Sequence, residues 1–171
     1  MTNSITTLKC KPISRAAYQV YGDLICADEG RAFVSSNMGT AKRFNHLTPV
    51  DNNRPTSAKL NLCVFRCQPT NLPLEIKLLE RHEFSTQVFL PMKDDALFVV
   101  IVCLGGDKPD LNTLRAFIVD GAIGISYRPG VWHYPMTALE KGIDFSCLVW
   151  EDGSKQDCEI VSLPSAISVL K

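Results

Sequence analysis

A chain of 171 residues with 18 Lys plus Arg against 18 Asp plus Glu carries no net charge, so it lacks the basic surplus that draws a domain to nucleic acid or an anionic membrane. That length suits one domain, residues 1–171, large enough to bury about 70% of its unfolded surface without disulfides or metals as staples. The longest apolar run, 96–104, is far too short to cross a bilayer, and no basic segment leads into an apolar stretch with a small-residue cleavage site. A cytosolic protein is expected, with small molecules or its own copies as partners.

Pro12, then Ser14 as an N-cap before Arg15-Ala-Ala-Tyr-Gln-Val-Tyr21, predicts one short helix ended by Gly22. Polar connections rich in Asn, Asp and Gly follow. From Leu60 to Trp150 the pattern becomes short runs rich in Val, Ile and Phe, predicting strands at 60–66, 74–82, 86–90, 97–104, 114–119, 122–127 and 143–150. Breakers such as Pro69, Pro73, Pro91, Gly105, Gly121, Gly130 and Gly142 separate them. Many short strands, with no ten-residue amphipathic helix between them, predict an all-β antiparallel sandwich or barrel with a few short helices. The tail after Gly153 reads equally as a strand or a short helix.

Within 74–82, Leu74, Ile76 and Leu78 share parity with Glu80 and His82, while Glu75, Lys77, Leu79 and Arg81 fall on the other face. Side chains alternate along a strand, so the even face is expected inside and the odd face in solvent. Burying an unpaired carboxylate costs several kcal/mol, on the order of the whole stability margin. Glu80 and His82 are therefore the first candidates for chemistry.

The seven cysteines are an odd number and lie singly; Cys63 and Cys67 have three residues between them, one more than a redox or zinc pair. Reduced core cysteines are expected, with Cys63, Phe65 and Cys67 on one face. Further on, Tyr127-Arg-Pro-Gly-Val-Trp-His-Tyr-Pro135 sets His133 just past a tight turn, with Trp132 and Tyr134 as its expected supports. Lys93-Asp94-Asp95 and Glu151-Asp152-Gly153 read as solvated turns, and Ser85 and Thr86 as structural hydroxyls.

These motifs resemble known ones. Glu80-x-His82, with four residues before Gln87, resembles the first cupin motif, and Pro129-Gly130-x-x-His133 resembles the second. Glutamate stands where that motif has its first histidine, glutamine where it has glutamate, and the proline and glycine are adjacent. A narrower family fits better. Asn37-Met-Gly-Thr-Ala-Lys-Arg-Phe44, Leu79-Glu-Arg-His82 with Ser85-Thr-Gln-Val-Phe89 and Pro91-Met92, Leu114-Arg-Ala-Phe117, and Gly130-Val-Trp-His133 with Pro135 resemble the ureidoglycolate lyases, in that order, across about residues 8 to 150. Glu83-Phe84 and Tyr134 depart from the family pattern without removing an ionisable group.

The resemblance implies a cupin-like double-stranded β-helix, or jelly-roll barrel, and cleavage of ureidoglycolate to glyoxylate and urea. It also implies a homodimer, for which the 46% hydrophobic content leaves surface. Collapse of that carbinolamine needs a base, an acid and an anchor for the carboxylate. Glu80 or His82 would be the base and His133 the acid. With a divalent metal, Glu80, His82 and His133 form a three-ligand set and Gln87 a fourth. Such donors do not choose among zinc, manganese, iron and nickel; the resemblance hints at nickel. No organic cofactor is expected. Arg115, alternating with apolar neighbours, and Arg43, on the glycine-containing loop, are the carboxylate anchors to consider, and Gln87 is also a substrate contact. Hydrolysis of the same substrate to ammonia and carbon dioxide, or a non-catalytic cupin that senses a small carboxylate, are the rival readings.

Overall fold

The computed structural model describes residues 6–28 and 30–171. The chain forms β1 (Thr7–Pro12), the one-turn helix α1 (Arg15–Tyr18), β2 (Leu24–Ile25), β3 (Val34–Ser36), β4 (Ala41–Arg43), β5 (Lys59–Cys67), β6 (Pro69–Thr70), β7 (Leu74–Arg81) and β8 (Gln87–Pro91). It continues through β9 (Leu97–Cys103), β10 (Arg115–Asp120), β11 (Gly124–Tyr127), β12 (Trp132–His133), β13 (Thr137–Leu139), β14 (Ile143–Glu151) and β15 (Glu159–Leu170). The fold is all-β and cupin-like, and each of the seven expected strands is present within two residues at either end.

One sheet runs β10-β1-β15-β7-β12-β9-β13-β6, and β9 pairs back onto β10, so six of its strands close into a ring. The other, β2-β11-β8-β14-β5, is open and packs against the outside of that ring. The β3 and β4 strands make a separate hairpin. Ring closure depends on two elements that local pattern did not provide. The β1 strand was not foreseen, and the undecided tail is the long β15. Both β1 pairings, to β10 and to β15, are parallel, while the other pairings round the ring are antiparallel.

Closure creates two interiors. Ile76, Leu79, Val99, Ile101, Trp132 and Ile167 fill the ring, together with residues from its other strands. Phe98, Val100 and Val102, alternating with them on β9, face outward and meet Phe89, Ile125, Phe145 and Val149 of the open sheet. Each such aliphatic side chain stabilises the fold by about 1.5–3 kcal/mol when fully buried. This double burial is why 97–103 reads as an unbroken apolar run instead of an alternating one.

The parity expected along β7 is overturned between Ile76 and Leu79. Both are fully buried in the ring although three residues apart. The cause lies in the partner strand: Ser162 pairs with Leu78 and Ile167 with Ile76, so four β15 residues stand opposite Lys77 alone. Such a bulge re-aims the side chains on either side of it. Leu79 and Arg81 consequently face the ring instead of solvent, and Glu80 faces the layer between the sheets.

The helix is capped as expected, Ser14 accepting from the Ala17 N–H, but it stops at Tyr18. Gly22 follows where a Cβ would collide with the Ser126 carbonyl at 1.7 Å, so only glycine lets the chain pass there.

Candidate functional site

Strand register brings the expected residues together. His133 pairs directly with Glu80 on β7 and with Val102 on β9, which puts all three on the side facing the open sheet. His82 lies one residue past β7. Gly130, at φ 78°, makes the turn ahead of β12, and its N–H donates to the His82 carbonyl at 2.9 Å. The Pro-Gly turn thus ties the second motif to the first.

Donor atoms of Glu80, His82 and His133 all lie within 4.8 Å of one another. The Nδ1 of His82 is 2.6 Å from the Asp157 carbonyl, and that of His133 is 2.9 Å from the Val131 carbonyl. A carbonyl only accepts, so each Nδ1 carries the hydrogen and each neutral ring keeps a lone pair on Nε2. The His133 Nε2 sits 3.5 Å from Glu80 Oε1 and is buried with no hydrogen-bond partner. Three acceptors therefore converge with no donor among them, an arrangement suited to a proton or a cation.

Burial, reinforced by the charge of His133, pushes the His82 imidazole down to about 4. Burial acts to raise the Glu80 carboxyl, but the interaction with His133 and the charge of His82 outweigh it and hold Glu80 below its ordinary value. At neutral pH the site thus contains an ionised carboxylate beside a neutral His82.

Gln87 begins β8, opposite Tyr127 and Val149 in the same intersheet layer, and its Oε1 is buried without a partner. The two arginines are not drawn against the triad. Arg115 lies in its lateral row, with Val102 between it and His133, but is exposed, and its Nη1 donates to the carbonyls of Asn112 and Leu114 at 3.0 and 2.8 Å. Arg43 is exposed on the β3–β4 hairpin.

Two neighbours escaped sequence reasoning. The Tyr127 ring stacks on His133, centroids 4.0 Å apart and 11° from parallel. Its hydroxyl is buried and unpartnered, and burial followed by the Glu80 charge raises its pKa, keeping it a donor. Trp132 and Tyr134, the expected supports of His133, belong instead to the ring core. Tyr127 opens the quoted run 127–135, but it ends β11 while His133 lies on β12 of the other sheet, so strand parity could not have paired them. The Cys158 Sγ is 3.9 Å from Glu80 Oε2, its thiol raised to about 11 by burial and then by Glu80. The Glu151-Asp152-Gly153 turn is also more than solvated surface, because Asp152 pairs with the buried Arg54 at 3.1 Å. Ser85 and Thr86 are structural as expected, receiving the N–H groups of Trp150 and Asp51.

A family model described as ureidoglycolate lyase matches residues 5–170. The chain belongs to the ureidoglycolate lyase family. The ureidoglycolate lyases of Escherichia coli O1:K1 / APEC, Escherichia coli O9:H4 (strain HS) and Shigella boydii serotype 18 (strain CDC 3083-94 / BS512) are each 41% identical to it over 157 residues, covering 92% of this chain and 94% of theirs. Membership of the ureidoglycolate lyase family makes the protein a lyase. Among its described residues no helix is long and apolar enough to cross a membrane.

Proposed function

We propose that the protein is a carbon–nitrogen lyase that cleaves ureidoglycolate to glyoxylate and urea, a late step in allantoin breakdown. The observation that carries this reading is the family match over nearly the whole chain. The triad supplies the chemistry. Glu80, ionised and 20% exposed at its side chain, takes the proton of the carbinol hydroxyl as the carbon becomes an aldehyde. His133, its bare Nε2 3.5 Å from Glu80, receives that proton from Glu80 and passes it to the urea nitrogen as the C–N bond breaks. The net change is one proton moved from oxygen to nitrogen, and general acid–base help of this kind contributes about 10² to 10⁴ in rate. The Tyr127 hydroxyl, with no partner among the described residues, donates to a substrate oxygen. For the substrate carboxylate, Arg115 is better placed than Arg43, since it lies in the triad's own row.

A divalent metal fits this site, because the converging atoms are all acceptors and the Nε2 of His133 is buried without a partner. Glu80, His82 and His133 would hold it, with Gln87 Oε1 as a fourth donor. When bound, such an ion supplies Lewis acidity that makes the substrate hydroxyl easier to deprotonate. Holding an ion would occupy the Nε2 of His133, so the roles would change: His133 would serve as a ligand and Glu80 alone would carry the proton from the hydroxyl to the urea nitrogen.

The chain is further proposed to work as a cytosolic homodimer. Edge strand β5 exposes Leu60, Leu62 and Val64 at 45, 69 and 57%, a stripe that a second copy of the same strand would cover. Sedimentation of the purified protein tests this, with a monomer counting against it.

Incubating purified protein with racemic ureidoglycolate tests the reaction. Equal yields of glyoxylate and urea are expected; ammonia with carbon dioxide would make it a hydrolase, and glyoxylate binding without turnover a sensor. Elemental analysis of the same sample, expected to find stoichiometric divalent metal, decides the cofactor.

A further inference from the structure

The turn between β14 and β15 supplies an outer contact to two members of the triad, His82 and Glu80. The Asp157 carbonyl holds Nδ1 of His82 at 2.6 Å, and the thiol of Cys158 lies 3.9 Å from Glu80 Oε2. What fixes that turn is a residue from a distant part of the chain. The Arg54 side chain, 2% exposed, pairs with the carboxylates of Asp152 at 3.1 Å and of Asp157. Phe84 covers the guanidinium, its ring centroid 5.5 Å away. The Asp157 carboxylate also accepts the N–H groups of Asp152 and Gly153 at 3.0 and 2.7 Å. One side chain is therefore the hub of the turn, and Arg54 neutralises it.

Arg54 is itself held on both sides. The Asn53 N–H donates to the Phe84 carbonyl at 2.7 Å, just past His82 in sequence, and the Thr56 hydroxyl donates to Asp152 at 3.2 Å. A guanidinium is planar and forked, so it can span two carboxylates where an ammonium acts as a point charge. Burying it is unfavourable unless both partners stay in place. The two carboxylates, the backbone turn and Arg54 thus form or loosen together.

We propose that Arg54 is a positioning residue of the lyase site. Acting through Asp157 and Cys158, it fixes the tautomer and angle of His82 and the direction of Glu80, without touching either. This rests on the proposed roles of Glu80 and His82. Removing an outer partner that orients a functional histidine typically costs 10-fold to 100-fold in activity or metal affinity.

The test uses Arg54→Met and Arg54→Lys in the full chain as purified, with long-range proton–nitrogen spectra of the histidines beside the kinetics. Only three histidines are present, so the signals are few. For Arg54→Met the expectation is a fall in kcat of about 10-fold to 100-fold, little change in KM, and loss of the single Nδ1–H tautomer at His82. Arg54→Lys, which keeps charge without the fork, should fall between. A variant that melts lower but keeps kcat and the His82 spectrum would overturn the proposal, reducing Arg54 to a staple. If Arg54→Met does not fold, the near-isosteric Asp157→Asn decides: a smaller loss of the same kind supports the clamp, and unchanged kcat and spectrum reject it. Should the wild type fail to turn over ureidoglycolate, the lyase reading falls, while the His82 spectrum still judges the clamp.

Discussion

Leu79 and Glu80 are neighbours on β7, and Trp132 and His133 are neighbours on β12, yet the first of each pair faces the ring and the second the layer between the sheets. The two interiors treat polar groups differently. In the ring, Arg81 donates to Glu159 and to the Gly106 carbonyl, each at 2.7 Å, and Trp132 Nε1 reaches the same carbonyl at 3.1 Å. In the layer, Gln87 Oε1, Tyr127 OH and His133 Nε2 are all buried without partners. Unpaired buried groups cost about 1–3 kcal/mol each, so three of them beside an ionised carboxylate set the layer apart from the ring. The ring holds the strands in register, and the layer carries the proposed site.

Substituting across one strand pair should separate the two roles most sharply. Glu80→Ala is expected to abolish glyoxylate formation, a loss approaching 10⁴-fold for a general base, with a melting transition close to wild type. An active Glu80→Ala protein would move the chemistry elsewhere. Trp132→Ala should do the reverse, lowering stability by about 3–5 kcal/mol as a cavity opens in the ring, measurable by denaturant titration. Activity per folded molecule should survive. A Trp132→Ala protein with unchanged stability would mean that the ring core is not the mechanical base of the site.

Acid should also find the layer and spare the ring. With its pKa lowered from 6.5 to about 4, His82 resists protonation in the folded chain, whereas in the unfolded chain it protonates below pH 6.5. The unfolded state therefore gains protons first, and stability falls as pH drops from 6.5 towards 4, by about 3 kcal/mol in all. Glu80, held below its ordinary value, adds a loss of the same sign at still lower pH. Denaturant titrations of chelator-treated protein at pH 7.5 and pH 5 should show the slope, and His82→Gln should flatten it. The Trp132→Ala deficit should be the same at both values, since an indole carries no titrating group.

How far these two interiors were legible follows from what each strand's own residues encode. The apolar runs and their breakers marked seven strands, and spacing paired Glu80 with His82, because those signals are local. The ring was hidden. Its closure joins Thr7–Pro12 to Glu159–Leu170 and Arg115–Asp120, contacts more than a hundred residues apart that leave no periodic trace. The face on which Leu79 lies depends on a bulge in β15, so the β7 sequence alone assigned it to solvent. Arg54 was passed over for a similar reason: its partners Asp152 and Asp157 are about a hundred residues away, and acidic residues beside a glycine look like any solvated turn. Substrate and reaction came from family likeness, since three acceptors in a layer do not name what they bind.

The smallest expected effect gives the finest test of the contrast. Tyr127→Phe removes one oxygen and leaves the ring stacked on His133. Because that hydroxyl is buried without a partner, its loss should leave the protein equally stable or more so, by about 1 kcal/mol. If the hydroxyl serves substrate, kcat/KM for ureidoglycolate should nevertheless fall by about tenfold, the value of one modest hydrogen bond. Gain in stability with loss of activity is the signature of a group kept for function at the expense of packing, and no ring substitution should produce it, since Trp132→Phe would weaken stability alone. An unchanged kcat/KM would reduce Tyr127 to a stacking platform for His133 and leave Gln87 Oε1 and His133 Nε2 as the layer's unpaired groups available to a ligand.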